Sequence, residues 1–134
     1  MTFDVTQFEM EDTAVLAVKN IRGDDDLLVN GEPVTIELYS AGSKQGVKAL
    51  HKAGRAAQMR LTRTIRGEFD SKDAEKVDQE RIEKLVGFTK AVNNFPIEGG
   101  AEAIYSNPKL GYITRQVDEF IAKDANFSKP SAAN

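Results

Sequence analysis

The chain has 134 residues, the length of one ordinary domain, with 40% apolar and 29% charged residues. This composition is typical of a globular protein and argues against a disordered chain or a membrane-spanning one. The absence of cysteine excludes disulfides and thiolate metal sites and favours a reducing, cytoplasmic setting. The formal net charge of −3 gives no general reason to expect a nucleic-acid partner. The first ten residues lack a basic start and an apolar stretch, so we expect no signal peptide.

The sequence pattern indicates β-structure at the start of the chain. Residues 13–19 are apolar and β-branched enough for a strand, and residues 34–39 alternate apolar and polar side chains. Between them, Asn30 and Gly31 supply the positive φ angles of a tight hairpin turn. Pro33 cannot donate to a ladder, which predicts an edge at the start of the following strand. We therefore expect a small antiparallel β-meander.

A helical period begins after Gly42, where Ser43 is placed to cap the new helix. Its apolar positions lie three or four residues apart and form one narrow stripe. They are Val47, Leu50, Gly54, Ala57, Leu61 and Ile65. The opposite side is basic and consists of Lys44, Lys48, Lys52, Arg55 and Arg66. We predict an amphipathic helix with a basic outer face that ends at Gly67.

Further helical segments follow. The second helix is expected to begin at a cap on Asp70 or Ser71 and to continue through Val92 until Asn93 and Asn94 end it. A short helix over AEAIYS comes next, and an Asn-Pro pair is a good start signal for the last helix.

These patterns together predict an α+β fold in one domain, residues 1–127. A small antiparallel meander within a β-rich region, 8–40, precedes a bundle of about four helices over 43–125. The small and polar residues 128–134 are expected to form a disordered tail.

The stretch IELYSAGSKQGVK (36–48) resembles a phosphate-binding loop because a strand runs into glycines and lysines. A Walker-type loop needs Gly, four residues and then Gly-Lys-Ser/Thr. Here the spacing from Gly42 to Gly46 is one residue short. Val47 stands where lysine is required, and no hydroxyl follows Lys48. We therefore prefer a turn with a helix cap over a nucleotide site.

Charge is sorted by segment. Seven Lys or Arg residues and no acid lie between residues 43 and 66, with acidic stretches on both sides. Such a basic face can bind nucleic acid, but it lacks interleaved aromatics that could stack on bases. The acidic second helix could instead pack antiparallel to it through the turn at Gly67, with ion pairs worth about 0.2–1 kcal/mol each. Nucleic acid is therefore the lesser alternative.

No residues in the sequence assemble into a catalytic or metal site. His51 is the only histidine and has no partner ligand or carboxylate at a useful spacing. Asp24, Asp25 and Asp26 lack the alternating acids, the glycine and the final glutamate of a calcium loop. We expect no enzyme, no metal and no cofactor, with His51 at the surface and the aspartates in a solvated turn.

The C-terminal third holds six of the ten aromatic residues, around short helices. They are Phe88, Phe95, Tyr105, Tyr112, Phe120 and Phe127. Core packing explains most of them, but so small a domain is not expected to bury all six. Those left exposed would form a groove for a helix or strand of another protein.

The order of these features resembles the small tail assembly chaperones of long-tailed bacteriophages. The likeness extends over about residues 8–127 and includes TAVLAVKN, LLVNGEPVTIELY, the turn AGSKQGVKAL and the basic and then acidic helical middle. It continues through LVGFTKAVNNF (85–95) and YSNPKLGYITRQVDEFIAKDANF (105–127). These stretches are similar to the family's Leu-x-Gly-aromatic step, its Asn/Asp-Pro start and its closing helix. Relatives often have Trp where this chain has Phe88.

The resemblance implies a non-enzymatic protein of the host cytoplasm that is absent from the mature virion. Tail assembly chaperones coat hydrophobic helical stretches of the tape measure protein, keep it soluble and recruit tail tube subunits. They are commonly also made in a longer, frameshifted form. The alternatives are a small nucleic-acid-binding module that uses helix 44–66, or a structural tail or connector subunit.

On the chaperone hypothesis, two surfaces bind partners. An aromatic surface would meet the client, and a basic surface would meet an acidic partner or a neighbouring copy. The aromatic surface consists of Phe88, Phe95, Tyr105 and Tyr112, and the basic one of Lys48, Lys52 and Arg55.

Overall fold

A computed structural model describes residues 3–68 and 72–129. Strands β1 (Thr13–Ala17), β2 (Leu28–Val29), β3 (Glu32–Pro33) and β4 (Thr35–Tyr39) precede helices α1 (Lys44–Ile65) and α2 (Asp73–Gly87). Strand β5 (Thr89–Asn93) and helices α3 (Gly100–Tyr105) and α4 (Gly111–Ala122) follow. Short 3-10 helices occupy Val5–Phe8, Pro108–Leu110 and Asp124–Phe127. The predicted α+β class, with its N-terminal antiparallel strands and four helices, is confirmed.

Strands β1, β4 and β5 form one antiparallel sheet in that order, so β4 is central. The period of two predicted for this strand is confirmed, because Val34, Ile36 and Leu38 are all buried. Ile36 lies opposite Leu16 of β1 and Val92 of β5. Apolar side chains therefore extend across the whole width of the sheet on its core face.

Strands β2 and β3, of two residues each, form a separate antiparallel hairpin. Asn30 (φ 54°) and Gly31 (φ 78°) both have positive φ, as the Asn-Gly pair predicts. Pro33 lies in this hairpin and outside the three-stranded sheet. The predicted edge at the start of the following strand is wrong, because β4 pairs with β1 on one side and with β5 on the other from Thr35 onward. Asn94 donates hydrogen bonds from its Nδ2 to two backbone oxygens of the hairpin, at 3.0 and 2.7 Å. These bonds fix the hairpin to the end of β5.

The prediction that the second helix continues to Asn93 is wrong. Helix α2 ends at Gly87, and β5 follows after one residue. Strand β5 pairs with β4, which is far away in the sequence. The periodicity of a short segment contains no information about such a distant partner. Thr89 and Val92, which were predicted to lie in the second helix, are β-branched residues that also suit a strand. The mainly helical region 43–125 therefore contains one strand.

The remaining C-terminal predictions agree with the structure where it describes them. Helix α3 confirms the short helix. The Asn107 side chain accepts a hydrogen bond from Lys109 N–H at 3.0 Å and caps the 3-10 helix Pro108–Leu110, so the Asn-Pro pair starts this turn, and α4 itself begins at Gly111. The caps predicted on Asp70 or Ser71 lie outside the described residues. Most of the predicted tail, residues 130–134, also lies outside them.

The core lies between the sheet and helices α2, α3 and α4. Its buried members are Val18, Val34, Ile36, Leu38, Ile82, Leu85, Ile104, Tyr105, Ile113, Val117 and Phe127. Although α1 is described in full, none of its residues belongs to this cluster. The longest helix of the described chain is therefore not part of the main core.

Candidate functional site

Helix α1 is about 33 Å long and, among the described elements, packs extensively against α2 alone. The face that meets α2 is built from small residues: Gly46 and Ala49 are buried, and Ala53 and Ala56 are half-buried. A Cβ added to Gly87 of α2 would lie 3.1 Å from the Cβ of Ala49. The two backbones therefore approach closely, and small side chains make that approach possible.

Ion pairs along this contact confirm the predicted antiparallel packing of the basic and acidic helices. Arg60 Nη2 lies 2.7 Å from Glu80 Oε2, and its Nε donates a hydrogen bond to the same oxygen at 2.8 Å. Arg63 Nη2 lies 4.0 Å from Asp73 Oδ1, closer to the turn between the helices. Gly67 has a φ of 77° just after α1, so the predicted stop is also confirmed.

The N-terminus of α1 explains Gly46, the second glycine of the IELYSAGSKQGVK stretch. The Ser43 hydroxyl accepts a hydrogen bond from Gly46 N–H at 3.0 Å, which confirms it as the helix cap. A Cβ on Gly46 would lie only 1.9 Å from the backbone oxygen of Ser40. Gly46 is therefore required by the protein's own packing, and this turn is closed by its own chain rather than shaped around a phosphate.

The apolar stripe of α1 lies on the surface. Val47 and Leu50 are 43% and 44% exposed, and Leu61 and Ile65 are 59% and 78% exposed. The stripe lies about 100° around the helix from the face that α2 covers. The predicted basic outer face is present, but the apolar face of the same helix is also open to solvent. We call the six residues Val47, Leu50, Gly54, Ala57, Leu61 and Ile65 the α1 stripe.

Gly54 lies in the middle of the α1 stripe and has no packing role among the described residues. A Cβ built on it meets nothing within 4 Å. Glycine inside a helix costs about 1 kcal/mol relative to alanine, so this position loses stability without an internal contact in return. The missing side chain contributes to a shallow, open depression between side chains of α1 itself. Its lining residues are Lys44, Val47, Lys48, Leu50, His51, Gly54, Arg55 and Gln58.

The basic face borders this depression. Lys48, Lys52 and Arg55 are exposed, and neither they nor Lys44 form an ion pair among residues 3–68 and 72–129. The depression itself is lined by three cations and by no carboxylate. These cations are therefore not held in ion pairs, in contrast to the paired arginines on the α2 side. Lys48 and Lys52 nevertheless also line the groove between α1 and α2, in which the acidic residues Glu80, Glu83 and Glu102 lie.

The aromatic residues predicted to bind a client are mostly internal. Phe88 and Tyr105 are 1% and 3% exposed, and Phe95 and Tyr112 are half-buried against the core. The Tyr105 hydroxyl lies 2.7 Å from Thr89 Oγ1. Burial raises the pKa of Tyr105, and this hydrogen bond partly opposes the rise. Phe88 and Tyr105 therefore stabilise the fold and offer no contact surface to a partner in this conformation.

The other candidate positions have ordinary environments. His51 is exposed, as predicted. Asp24 and Asp25 are exposed in a turn, while Asp26 pairs with Lys19 at 2.9 Å. Within the described parts of the chain, no three histidine or acidic side chains cluster so that they could hold a metal ion. Over the same residues, no helix is both long enough and apolar enough to cross a membrane.

Sequence reasoning identified the α1 stripe but not its exposure. The available signal was the row of small residues on the neighbouring face, at Gly46, Ala49, Ala53 and Ala56. Small residues at helical spacing permit close helix packing even where larger apolar residues lie on another face.

No protein-family model, curated protein or solved structure matches this chain. The likeness to tail assembly chaperones therefore stays a prediction that depends on the sequence features described above.

Proposed function

We propose that this chain is a non-enzymatic binding protein that holds an apolar helical segment of a client protein. The observation that carries the proposal is the exposure of the α1 stripe on the longest described helix. The resemblance to tail assembly chaperones supports a specific form of this function, in which the client is the tape measure protein and tail tube subunits are recruited to the complex.

The energetics favour a partner for the α1 stripe. Full burial of a Val, Leu or Ile side chain contributes about 1.5–3 kcal/mol. The four large side chains of the stripe leave roughly half of this free energy unused in the isolated chain, where Leu61 and Ile65 are the most exposed. A client that covered them would gain it on binding, less the cost of association. The adjoining basic face would keep the complex hydrated.

Co-expression with the tape measure protein from the same genome tests this proposal. We expect the wild-type chain to raise the soluble fraction of the client, and Leu61→Gln/Ile65→Gln to remove most of the increase. Glutamine keeps the net charge and forms helices well. Ile21→Gln/Leu28→Gln is the matched control, because Ile21 and Leu28 are 75% and 55% exposed elsewhere on the molecule. A client that is equally insoluble with and without the wild-type chain would refute the chaperone function.

The exposed cations of α1, which form no ion pair among the described residues, favour nucleic acid as the second candidate function. Binding to phosphates would weaken steeply with salt, because counterions are released. Fluorescence anisotropy with duplex DNA at about 50 mM and about 200 mM salt separates the candidates. About six phosphate contacts would lower the affinity for DNA about 10³-fold or more over this salt range. If the proposed client function is right, no such decrease in DNA affinity is seen. Such a fall, abolished by Lys48→Glu/Lys52→Glu/Arg55→Glu, would favour the nucleic-acid function instead.

A further inference from the structure

We propose that the segment that docks on the α1 stripe is an acidic amphipathic α-helix of another protein, and that it approaches α1 most closely over Gly54. This inference rests on the proposed function and specifies the chemistry of its client.

The spacing of the stripe points to a helix as the occupant. Val47, Leu50, Gly54, Ala57 and Leu61 follow intervals of three, four, three and four residues. This is the heptad spacing of a seam between two helices, and it repeats along about 21 Å of α1. An extended strand has side chains with a period of two and would not stay in register with this seam.

Gly54 points to the position of closest approach. It occupies the centre of the seam, and a Cβ there would contact nothing in the described chain. Glycine is among the poorest helix formers, and no positive φ is recorded for Gly54 that would require it. A glycine in a helix seam lets a second backbone or a large side chain come close, as Gly46 does for the backbone of Ser40. The depression over Gly54 can thus receive one large apolar side chain of the partner.

The charge around the seam points to an acidic partner. The depression has Lys44, Lys48 and Arg55 along its border and no carboxylate. No acidic residue occurs anywhere in α1. A partner helix with Glu or Asp beside its apolar positions would pair with these cations, whereas a basic helix would be repelled.

A second copy of this chain does not supply such a helix. Its own α1 would bring cations against cations. Among the large apolar residues of α2, only Val77 is substantially exposed, and α3 and α4 have none. None of the other described α-helices is therefore both acidic and broadly apolar on an exposed face. The 3-10 helix Val5–Phe8 has exposed apolar side chains beside Asp4 and Glu9, but with 4 residues it is too short to fill a seam of about 21 Å.

Two designed peptides of about three heptads test the inference on the full-length chain. Both carry leucine at the seam positions, and one has Glu and the other Lys beside them. In a titration of the ¹⁵N-labelled chain, we expect the Glu peptide to shift amide resonances of residues 47–65 and to bind about ten-fold more tightly than the Lys peptide, or better. Lys44→Glu/Lys48→Glu/Arg55→Glu should reverse this preference. Equal affinities for the two peptides, or shifts confined to other elements, would overturn the inference.

The Gly54→Leu variant tests the point of closest approach. Filling the depression should weaken the Glu peptide about ten-fold or more, because the partner can no longer seat a side chain there. Unchanged affinity for Gly54→Leu, with the native circular dichroism spectrum retained, contradicts close approach at this point.

The outcomes separate this inference from the proposed function. If the client depends on Leu61 and Ile65 but tolerates both Gly54→Leu and the triple charge reversal, the proposed function stands and the acidic-helix inference fails. If the wild-type chain never solubilises the client, the proposed function fails whatever the peptides do. A dimer of the free chain by light scattering that Leu61→Gln/Ile65→Gln dissociates would make a second copy the occupant and overturn the inference.

Discussion

The body of the molecule, formed by the three-stranded sheet with α2, α3 and α4, and helix α1 bury opposite kinds of side chain. The body buries large residues such as Leu85 and Phe88 and closes around them. Helix α1 buries Gly46 and Ala49 and leaves Leu61 and Ile65 exposed. An apolar stripe on a helix therefore indicates a surface on which another element can pack, and that element need not belong to the same chain.

Two glycines on α1 offer the largest effect and the clearest contrast. Gly46→Ala places a Cβ against the Ser40 backbone oxygen, at 1.9 Å, so the turn or the helix must move. We expect a loss of about 4 kcal/mol or more in the free energy of unfolding. Gly54→Ala has open space and should stabilise the free chain by about 0.4–1 kcal/mol. Urea unfolding of both variants measures the difference in the free energy of unfolding. Similar effects at the two positions would contradict the assignment of Gly46 to internal packing and of Gly54 to the surface.

Two leucines test the contrast between the body and α1 with the same substitution. Leu85→Ala removes a fully buried side chain of α2 and should cost about 2–5 kcal/mol. Leu61→Ala removes a side chain that is 59% exposed and should change stability by less than about 0.5 kcal/mol. Thermal and urea unfolding of the two variants provide the comparison. A cost of several kcal/mol at Leu61 would mean that α1 is covered in the free protein.

The smallest effect concerns Tyr105 in the body. Tyr105→Phe loses the hydrogen bond to Thr89 and should cost about 0.5–1.5 kcal/mol at neutral pH. Because burial raises the pKa of Tyr105 in the folded state, the unfolded chain releases this proton first. The wild-type protein should therefore lose stability as the pH rises from about 10 towards the folded-state pKa, and the variant should lack this contribution. Urea unfolding at about pH 7 and about pH 11 measures it. If the stability difference between the two proteins did not narrow at high pH, Tyr105 would not titrate in the buried environment seen here.

Local chemistry was sufficient to predict much of the fold. The cap at Ser43, the Asn30-Gly31 turn and the alternating core strand were all confirmed. Each depends on interactions between residues close in the sequence. Strand β5 was missed because its identity depends on pairing with β4, a non-local contact that outweighs the weak helical pattern around Thr89.

The candidate site was predictable only in part. The residues of the α1 stripe and the basic face were identified, because helical periodicity places them. The simultaneous exposure of both surfaces was not predicted. It arises because α2 packs on a third face of α1, the face of small residues, and covers neither the stripe nor the basic face. Phe88 and Tyr105 were predicted to form a contact surface from their density in the sequence, but the sheet and helices enclose them. Aromatic density alone does not report burial.

Thiol labelling tests the central claim most directly, because the chain has no cysteine of its own and each introduced thiol is unique. The variant Leu61→Cys reports on the α1 stripe, and Glu119→Cys, at an exposed position of α4, is the control. We predict that both thiols react with a maleimide as fast as a free thiol in the isolated protein. In the co-purified complex with the client, Leu61→Cys should react about ten-fold more slowly, while Glu119→Cys should not change. Slow labelling of Leu61→Cys in the isolated protein, or no protection in the complex, would contradict the account.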